Sequence, residues 1–112
     1  MESKKDKIEV IVKEPGKPMY KKMLRNELSE FQDIVEGFIE TIPVDRGGKV
    51  LLICNEEGKL MDLPPNFIIG SDIIMGNAVF VGTSGEEFTD CPATATELML
   101  FIPCLRLDEG AI

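Results

Sequence analysis

The chain has 112 residues, of which 44% are hydrophobic and 29% are charged, and it contains no histidine. This length and composition are typical of one globular domain, spanning residues 1–112, and exclude a disordered chain. The lack of histidine excludes Ser-His-Asp and Cys-His catalysis and every histidine-based metal site. No phosphate-binding glycine loop occurs either. We therefore expect no catalytic residue, metal or cofactor, and an enzyme is the least favoured class.

The net charge of −8 is divided unevenly along the chain. Residues 1–25 hold eight Lys and Arg against four Asp and Glu, a balance of +4, and residues 26–112 hold four against sixteen, a balance of −12. An acidic majority argues against nucleic-acid binding, which needs a basic surface. It would suit a basic protein partner, and the alternative is that the carboxylates only keep the protein soluble.

Three separated cysteines, Cys54, Cys91 and Cys104, show no C-x-x-C spacing, so we expect neither a disulfide framework nor a zinc site. Cys54 and Cys104 lie in apolar runs and are predicted to be core residues. The basic N-terminus is followed by an alternating pattern instead of an apolar signal core. The longest apolar stretch, residues 98–105, is far shorter than the roughly 20 residues of a membrane helix. We expect a cytoplasmic protein without membrane contact.

A hairpin is predicted at the start of the chain. Residues 7–13 alternate between apolar and polar, which indicates a half-buried strand that ends at Glu14-Pro15-Gly16. Residues 19–24 form the returning strand, in which Lys21 and Lys22 suit an exposed sheet edge. Residues 1–6 are expected to be disordered.

The clearest helix spans about residues 28–37, because apolar residues recur there at spacings of three and four. Asn26 or Ser29 is predicted to cap its start, and Gly37 is predicted to take the left-handed conformation that ends it.

Further strands follow this helix. Residues 38–44 are strand-like but contain Pro43, so this strand is expected to lie at a sheet edge or to end early. After a glycine loop at residues 45–48, residues 50–54 are apolar at every position, as in a strand buried on both faces at the sheet centre. Residues 78–82 predict another interior strand.

The remaining segments are less regular. Residues 55–58 form a turn in which Gly58 supplies the left-handed position, and Ser71-Asp72 are predicted to cap a helical turn at residues 73–75. Residues 83–87 are predicted as a loop. Pro92 begins a C-terminal helix over about residues 92–102, although residues 98–107 also fit a closing strand. Together the elements predict an α+β protein with a small mixed or mainly antiparallel sheet of about five strands.

The densest polar segment comes directly after the most buried strand. A loop held by a rigid strand is a common place for binding residues. The alternatives are an ordinary hairpin turn for the loop and a helix cap for Asp72. The candidate binding residues are Asn55, Glu56, Glu57, Lys59, Asn66 and Asp72.

The loop and its flanks resemble a known family. The pattern includes Cys54-Asn55-Glu56-Glu57-Gly58-Lys59-Leu60, Leu63-Pro64-Pro65-Asn66 and Asp72-Ile73-Ile74-Met75-Gly76. In order and spacing, about residues 7–82 resemble a family of small bacterial and phage proteins known as domain of unknown function 3846. The resemblance implies a cytoplasmic protein of phages, conjugative or other mobile elements, without an established activity. The family usually has a second glycine where this chain has Glu36.

Two functional hypotheses follow from these observations. The first is a non-enzymatic accessory protein of a phage or mobile element that acts through protein–protein interaction. The alternative is a protein that binds a small, nucleotide-like metabolite through the loop at residues 55–66. The sequence also predicts two surfaces for self-association, namely an open strand edge and the apolar residues 98–105.

Overall fold

The computed structural model describes residues 6–101, and this part of the chain contains eight strands and two helices. The helices are α1 (Leu28–Val35) and α2 (Ala95–Phe101). The strands are β1 (Lys7–Lys13), β2 (Tyr20–Arg25), β3 (Ile39–Pro43), β4 (Val50–Asn55), β5 (Pro65–Ile69), β6 (Asp72–Met75), β7 (Ala78–Ser84) and β8 (Glu87–Thr89). The predicted α+β class is confirmed.

Six strands form the main sheet, in the order β2-β1-β7-β4-β3 with β8 added beside β7, and every pairing is antiparallel. Strands β5 and β6 form a separate hairpin. The central strand is β7, and β4, predicted to be the centre, lies next to it. As Lys21, Lys22 and Pro43 predicted, β2 and β3 are the two edges.

The main sheet is covered on both faces. On one face, side chains such as Val10, Ile53 and Val79 pack with Phe31 and Val35 of α1. The opposite face carries a second cluster, in which Leu52 and Phe80 of the sheet pack with Phe67, Ile74 and Leu98 from the β5–β6 hairpin and α2. Burial on both faces explains why β4 and β7 are apolar at nearly every position.

The predicted caps at the start of α1 are wrong. The first position outside the helix is Glu27, which makes no capping hydrogen bond through its side chain. The Asn26 side chain instead donates to the Phe88 carbonyl at 3.0 Å, and Ser29 lies inside the helix. Asn26 therefore ties the helix entry to β8, a contact distant in sequence that the local pattern could not indicate.

The end of α1 also differs from the prediction. The left-handed residue is Glu36, with φ of 67°, and not Gly37. The Glu36 and Gly37 N–H groups both donate to the Gln32 carbonyl, at 2.8 and 3.1 Å. The left-handed position therefore falls one residue earlier than expected, at a non-glycine residue in a conformation that favours glycine.

The helical turn predicted at residues 73–75 is wrong, because these residues belong to β6. Gly70, at φ of 60°, allows the tight turn between β5 and β6. Pairing of the two strands buries Phe67 and Ile74 against the main sheet, and this burial outweighs the local capping pattern. The loop predicted at residues 83–87 is likewise a tight turn between β7 and β8.

The C-terminal helix is present but begins at Ala95, three positions after Pro92. Thr94 and Glu97 form a capping box: the Thr94 N–H donates to Glu97 Oε1 at 2.9 Å, and the Glu97 N–H donates to Thr94 Oγ1 at 3.1 Å. Residues 95–101 are thus helical. The predictions for residues 1–5 and 102–107, including Cys104, lie outside the described residues. Among residues 6–101, neither helix is long and apolar enough to cross a membrane.

Candidate functional site

The loop at residues 56–62 carries the chain from β4 toward the β5–β6 hairpin. It is longer than the predicted four-residue turn, and Asp62, not Gly58, takes the left-handed conformation, with φ of 57°. Gly58 is buried, and a Cβ atom there would lie 3.0 Å from the Met75 carbonyl oxygen. Glycine is therefore needed for close contact between the loop and β6, not for its backbone freedom.

Asn55 is a buried support for this loop. Its Nδ2 donates to the Val35 carbonyl at 2.9 Å, and its Oδ1 accepts from the Glu57 N–H at 2.6 Å. Gly37 makes room for it, since a Cβ at Gly37 would lie 2.6 Å from Asn55 Nδ2. One side chain thus joins β4, the end of α1 and the loop, so its amide is occupied by the fold.

Asn66 is buried elsewhere, at 1% exposure. Its Nδ2 donates to the carbonyls of Lys13 and Gly76, both at 2.8 Å, and its Oδ1 accepts from Lys13 Nζ at 3.1 Å. The Lys13 side chain, itself buried, also donates to the Glu14 carbonyl at 2.8 Å. Asn66 therefore connects β1 to the β5–β6 hairpin.

A cleft of about 160 Å³ lies between the loop, β6 and the start of β3. Asn66 is not part of it. Lys59 Nζ pairs with Asp72 Oδ1 at 2.8 Å across this cleft, so Asp72 is an ion-pair partner and not the predicted helix cap. The cleft brings together five of the six candidate residues, namely Asn55, Glu56, Glu57, Lys59 and Asp72, and adds Glu40 from β3.

A second cleft, of about 300 Å³, lies between the end of α1 and the same loop. It shares Asn55 and Glu57 with the first cleft, so the two are adjacent. Phe38 and Met61 supply its apolar lining. Sequence patterns did not predict this cleft, because it forms only when residues 32–38 and 55–61 are brought together.

Four large apolar side chains border the two clefts and are exposed. Their exposed fractions are 68% for Phe38, 85% for Leu60, 47% for Met61 and 41% for Ile73. In the sequence, the two consecutive apolar residues Leu60 and Met61 within a polar loop could have indicated part of this exposed apolar surface. We call this surface the acidic–apolar end, and it consists of Glu36, Phe38, Glu40, Glu56, Glu57, Lys59, Leu60, Met61, Asp72 and Ile73.

The acidic–apolar end carries five carboxylates and one ammonium group, and that ammonium group is paired with Asp72. Within residues 6–101, no cluster of cysteine and carboxylate side chains has the arrangement of a metal site. The arrangement can instead attract a cationic group while offering apolar contact beside it.

Cys54 lies beneath the smaller cleft but is only 4% exposed. Burial, together with the nearby charges of Glu40 and Asp72, raises the pKa of its thiol to about 11. A thiol held neutral in this way is a poor nucleophile. As predicted, Cys54 is a core residue.

The fold and the two clefts define a small α+β domain with a polar and apolar loop surface at one sheet edge. The chain belongs to the family described as Domain of unknown function (DUF3846), whose model matches residues 8–100. The match extends past the predicted range of residues 7–82 and includes most of α2. Comparisons with curated proteins and with solved structures give no match.

Proposed function

We propose that this protein is a non-enzymatic accessory protein that binds a basic segment of another protein through its acidic–apolar end. The observation that carries the proposal is the exposure of Phe38, Leu60, Met61 and Ile73 around two clefts that five carboxylates surround. Grouped, exposed apolar side chains with a polar rim are typical of protein-binding surfaces.

The two components of the surface have separate roles in this proposal. Phe38 and Met61, which line the larger cleft, supply apolar contact for an anchoring side chain of the partner. The carboxylates raise the rate of encounter with a basic segment and disfavour acidic ones. Lys59 neutralises Asp72, so four carboxylates, those of Glu36, Glu40, Glu56 and Glu57, remain to give the surface its negative field. Binding should therefore weaken with added salt.

The size of the smaller cleft is a reason to prefer a protein partner over a nucleotide-like metabolite. Ligand pockets usually measure about 300–1,000 Å³, whereas this cleft, which holds most of the predicted binding residues, measures about 160 Å³. The larger cleft, of about 300 Å³, is at the lower end of that range and holds only Asn55 and Glu57 of the predicted binding residues. A polar loop that is too shallow to enclose a metabolite still suits one part of an extended surface.

The cellular setting is part of the proposal. We place the protein in the cytoplasm, as an accessory protein of a phage or mobile element. This setting is what the sequence resemblance of residues 7–82 implies, and the matching family itself is described only as of unknown function.

A random peptide library displayed on phage and selected on the immobilised protein tests the proposal. We expect enrichment of peptides that combine Lys or Arg with a large apolar residue. In the double variant Phe38→Ser, Leu60→Ser, affinity for these peptides should fall by about tenfold or more. The matched control is Met23→Ser, Met99→Ser, since both methionines are 56% exposed but lie elsewhere.

Enrichment of acidic peptides, or equal loss of binding in the two double variants, would contradict the proposal. A thermal-shift screen of nucleotides and related metabolites tests the alternative in parallel. A stabilising metabolite whose effect disappears in Glu56→Gln would favour the small-ligand function instead.

A further inference from the structure

We infer that the partner segment binds as an additional β-strand along the free edge of β3, with a basic residue beside Glu40 and an apolar residue beside Phe38. This inference rests on the proposed function and specifies how the acidic–apolar end holds its partner. It follows from the hydrogen-bond pattern of β3, from the residues on its edge and from the position of that edge between the two clefts.

The direction of each backbone group in β3 follows from two hydrogen bonds. The Phe38 carbonyl accepts from the Glu56 N–H at 2.9 Å, and the Val44 N–H donates to the Val50 carbonyl at 2.9 Å. The β3–β4 register is regular between these points. In an antiparallel pair, alternate residues bond to the partner and the others point away. The backbone groups of Ile39, Thr41 and Pro43 therefore face outward.

Pro43 fits this pattern. Proline has no N–H, and at an outward-facing position the N–H would not have bonded to β4, so no bond of the sheet is lost. The free edge therefore presents two N–H donors, from Ile39 and Thr41. It also presents the carbonyl oxygens of these residues and of Pro43. Among residues 6–101, no group occupies the two donors. An extended peptide could pair with this edge without displacing any bond of the sheet.

The two edges of the main sheet differ in how they are protected. Strand β2 exposes Lys21, Lys22 and Arg25, and basic side chains on an edge strand discourage pairing with other chains. Strand β3 contains no basic residue, and its one charged residue is the exposed Glu40. The β3 edge thus repels acidic strands and admits basic ones.

The start of β3 lies between the two clefts. Phe38, just before the strand, lines the larger cleft, and Glu40 lines the smaller one. Side chains of an added strand point alternately to the two faces of the sheet. A partner Lys or Arg on the face that carries Glu40 would reach the carboxylates of the smaller cleft. An apolar partner residue at the start of β3 would reach Phe38 and Met61 of the larger cleft.

The direct test is Thr41→Pro, which removes an outward N–H that no strand of the sheet uses. Pro43 occupies the equivalent outward position two residues later, so the sheet already accepts proline there. Affinity for a library-selected basic peptide, measured by isothermal titration calorimetry, should fall by about tenfold or more. Thr41→Val, which keeps the N–H, and Met23→Pro, on the β2 edge, should leave it within about twofold.

Peptide N-methylation provides a second test that does not depend on the variant folding. When each backbone nitrogen is methylated in turn, affinity should fall at every second position and remain nearly unchanged between them, because only alternate N–H groups of an added strand bond to β3. If circular dichroism shows that Thr41→Pro is unfolded, this alternation decides the question.

The failures of the two proposals are distinguishable. If Phe38→Ser, Leu60→Ser abolishes binding while neither Thr41→Pro nor N-methylation affects it, the docking surface stands and strand addition is overturned. If no peptide is selected, or none responds to either variant, both proposals fall. Self-association at high protein concentration that Thr41→Pro abolishes would assign the edge to a second copy of this chain and overturn the assignment to a partner.

Discussion

At one edge of the main sheet, β2 is exposed along five of its six residues and carries Lys21, Lys22 and Arg25. At the other edge, β3 adjoins a loop that buried Asn55 holds in place, and the exposed residues there are carboxylates and large apolar side chains. The first edge is protected against pairing with other chains. The second edge adjoins a loop held by buried Asn55 and borders the two clefts. The two edges of the sheet therefore differ in whether another chain can pair with them.

The uneven division of charge along the sequence becomes a separation of charge between the two edges of the sheet. The basic N-terminal hairpin and the acidic loop end up on opposite edges of the strand order β2-β1-β7-β4-β3. Four strand spacings separate these edges, about 19 Å, which is beyond the screening length of about 8 Å at physiological salt. A partner near one edge therefore experiences mainly the charge of that edge.

The largest expected effect on stability is at the support of the β3 edge. Asn55→Ala removes the bonds to the Val35 carbonyl and the Glu57 N–H, leaving both without a partner. We expect a loss of about 3 kcal/mol in the free energy of unfolding, measured by urea titration with circular dichroism. Lys22→Ala, at the β2 edge, should change it by less than about 0.5 kcal/mol. Similar small losses in both variants would mean that Asn55 does not support the loop.

The thiol beneath the smaller cleft gives a pH-dependent test. Burial raises the Cys54 pKa from 9.0 to about 11, so the folded protein holds the neutral thiol as the pH rises. At pH 8 the reactive thiolate is about a hundredfold rarer than in the unfolded chain. Alkylation by iodoacetamide, located by mass spectrometry, should therefore be correspondingly slow at Cys54 in native protein. Equal rates in native and urea-unfolded protein would show that this region is open.

Gly37 tests how closely the end of α1 packs against the loop. In Gly37→Ala, the new Cβ would lie 2.6 Å from Asn55 Nδ2, so the amide must move and weaken its bonds. We expect a loss of about 2 kcal/mol in the free energy of unfolding. The control is Gly47→Ala in the β3–β4 turn, where the nearest atoms are 3.8 Å away and no comparable loss is expected. If Gly37→Ala is as stable as that control, the packing is looser than described.

Glu36→Gly should have the smallest effect, with the opposite sign. Glu36 holds φ of 67°, a conformation that costs a non-glycine residue about 1 kcal/mol. Glycine relieves this cost and should raise the free energy of unfolding by about that amount. Asp33→Gly, inside α1, should lower it by about 1 kcal/mol. A loss in both variants would show that the Glu36 side chain has a stabilising role.

The elements predicted well from sequence are those with a strong local pattern. The alternation in β1, the apolar runs of β4 and β7 and the helical spacing in α1 reflect which faces are buried, and Lys21, Lys22 and Pro43 identified the edges. The β5–β6 hairpin was missed because its pairing is stabilised by burial of Phe67 and Ile74 against strands distant in sequence. Local capping residues could not reveal that contact.

The candidate site was predicted in part. The polar loop does border a cleft, and five of the six candidate residues line it. Asn66 has a different place, because its partners Lys13 and Gly76 come from other parts of the chain. The larger cleft was not predicted, because it depends on how the end of α1, where Phe38 lies exposed, packs beside the loop at residues 56–62.

The most direct test of the account is an NMR titration of ¹⁵N-labelled protein with a library-selected basic peptide. We predict that the amide signals of residues 38–42 and 56–62 shift and that the Ile39 and Thr41 amides become protected from hydrogen exchange, while residues 21–25 of the β2 edge remain unchanged. Shifts centred on the β2 edge, or binding that leaves residues 38–42 and 56–62 unaffected, would contradict the assignment of the acidic–apolar end as the docking surface.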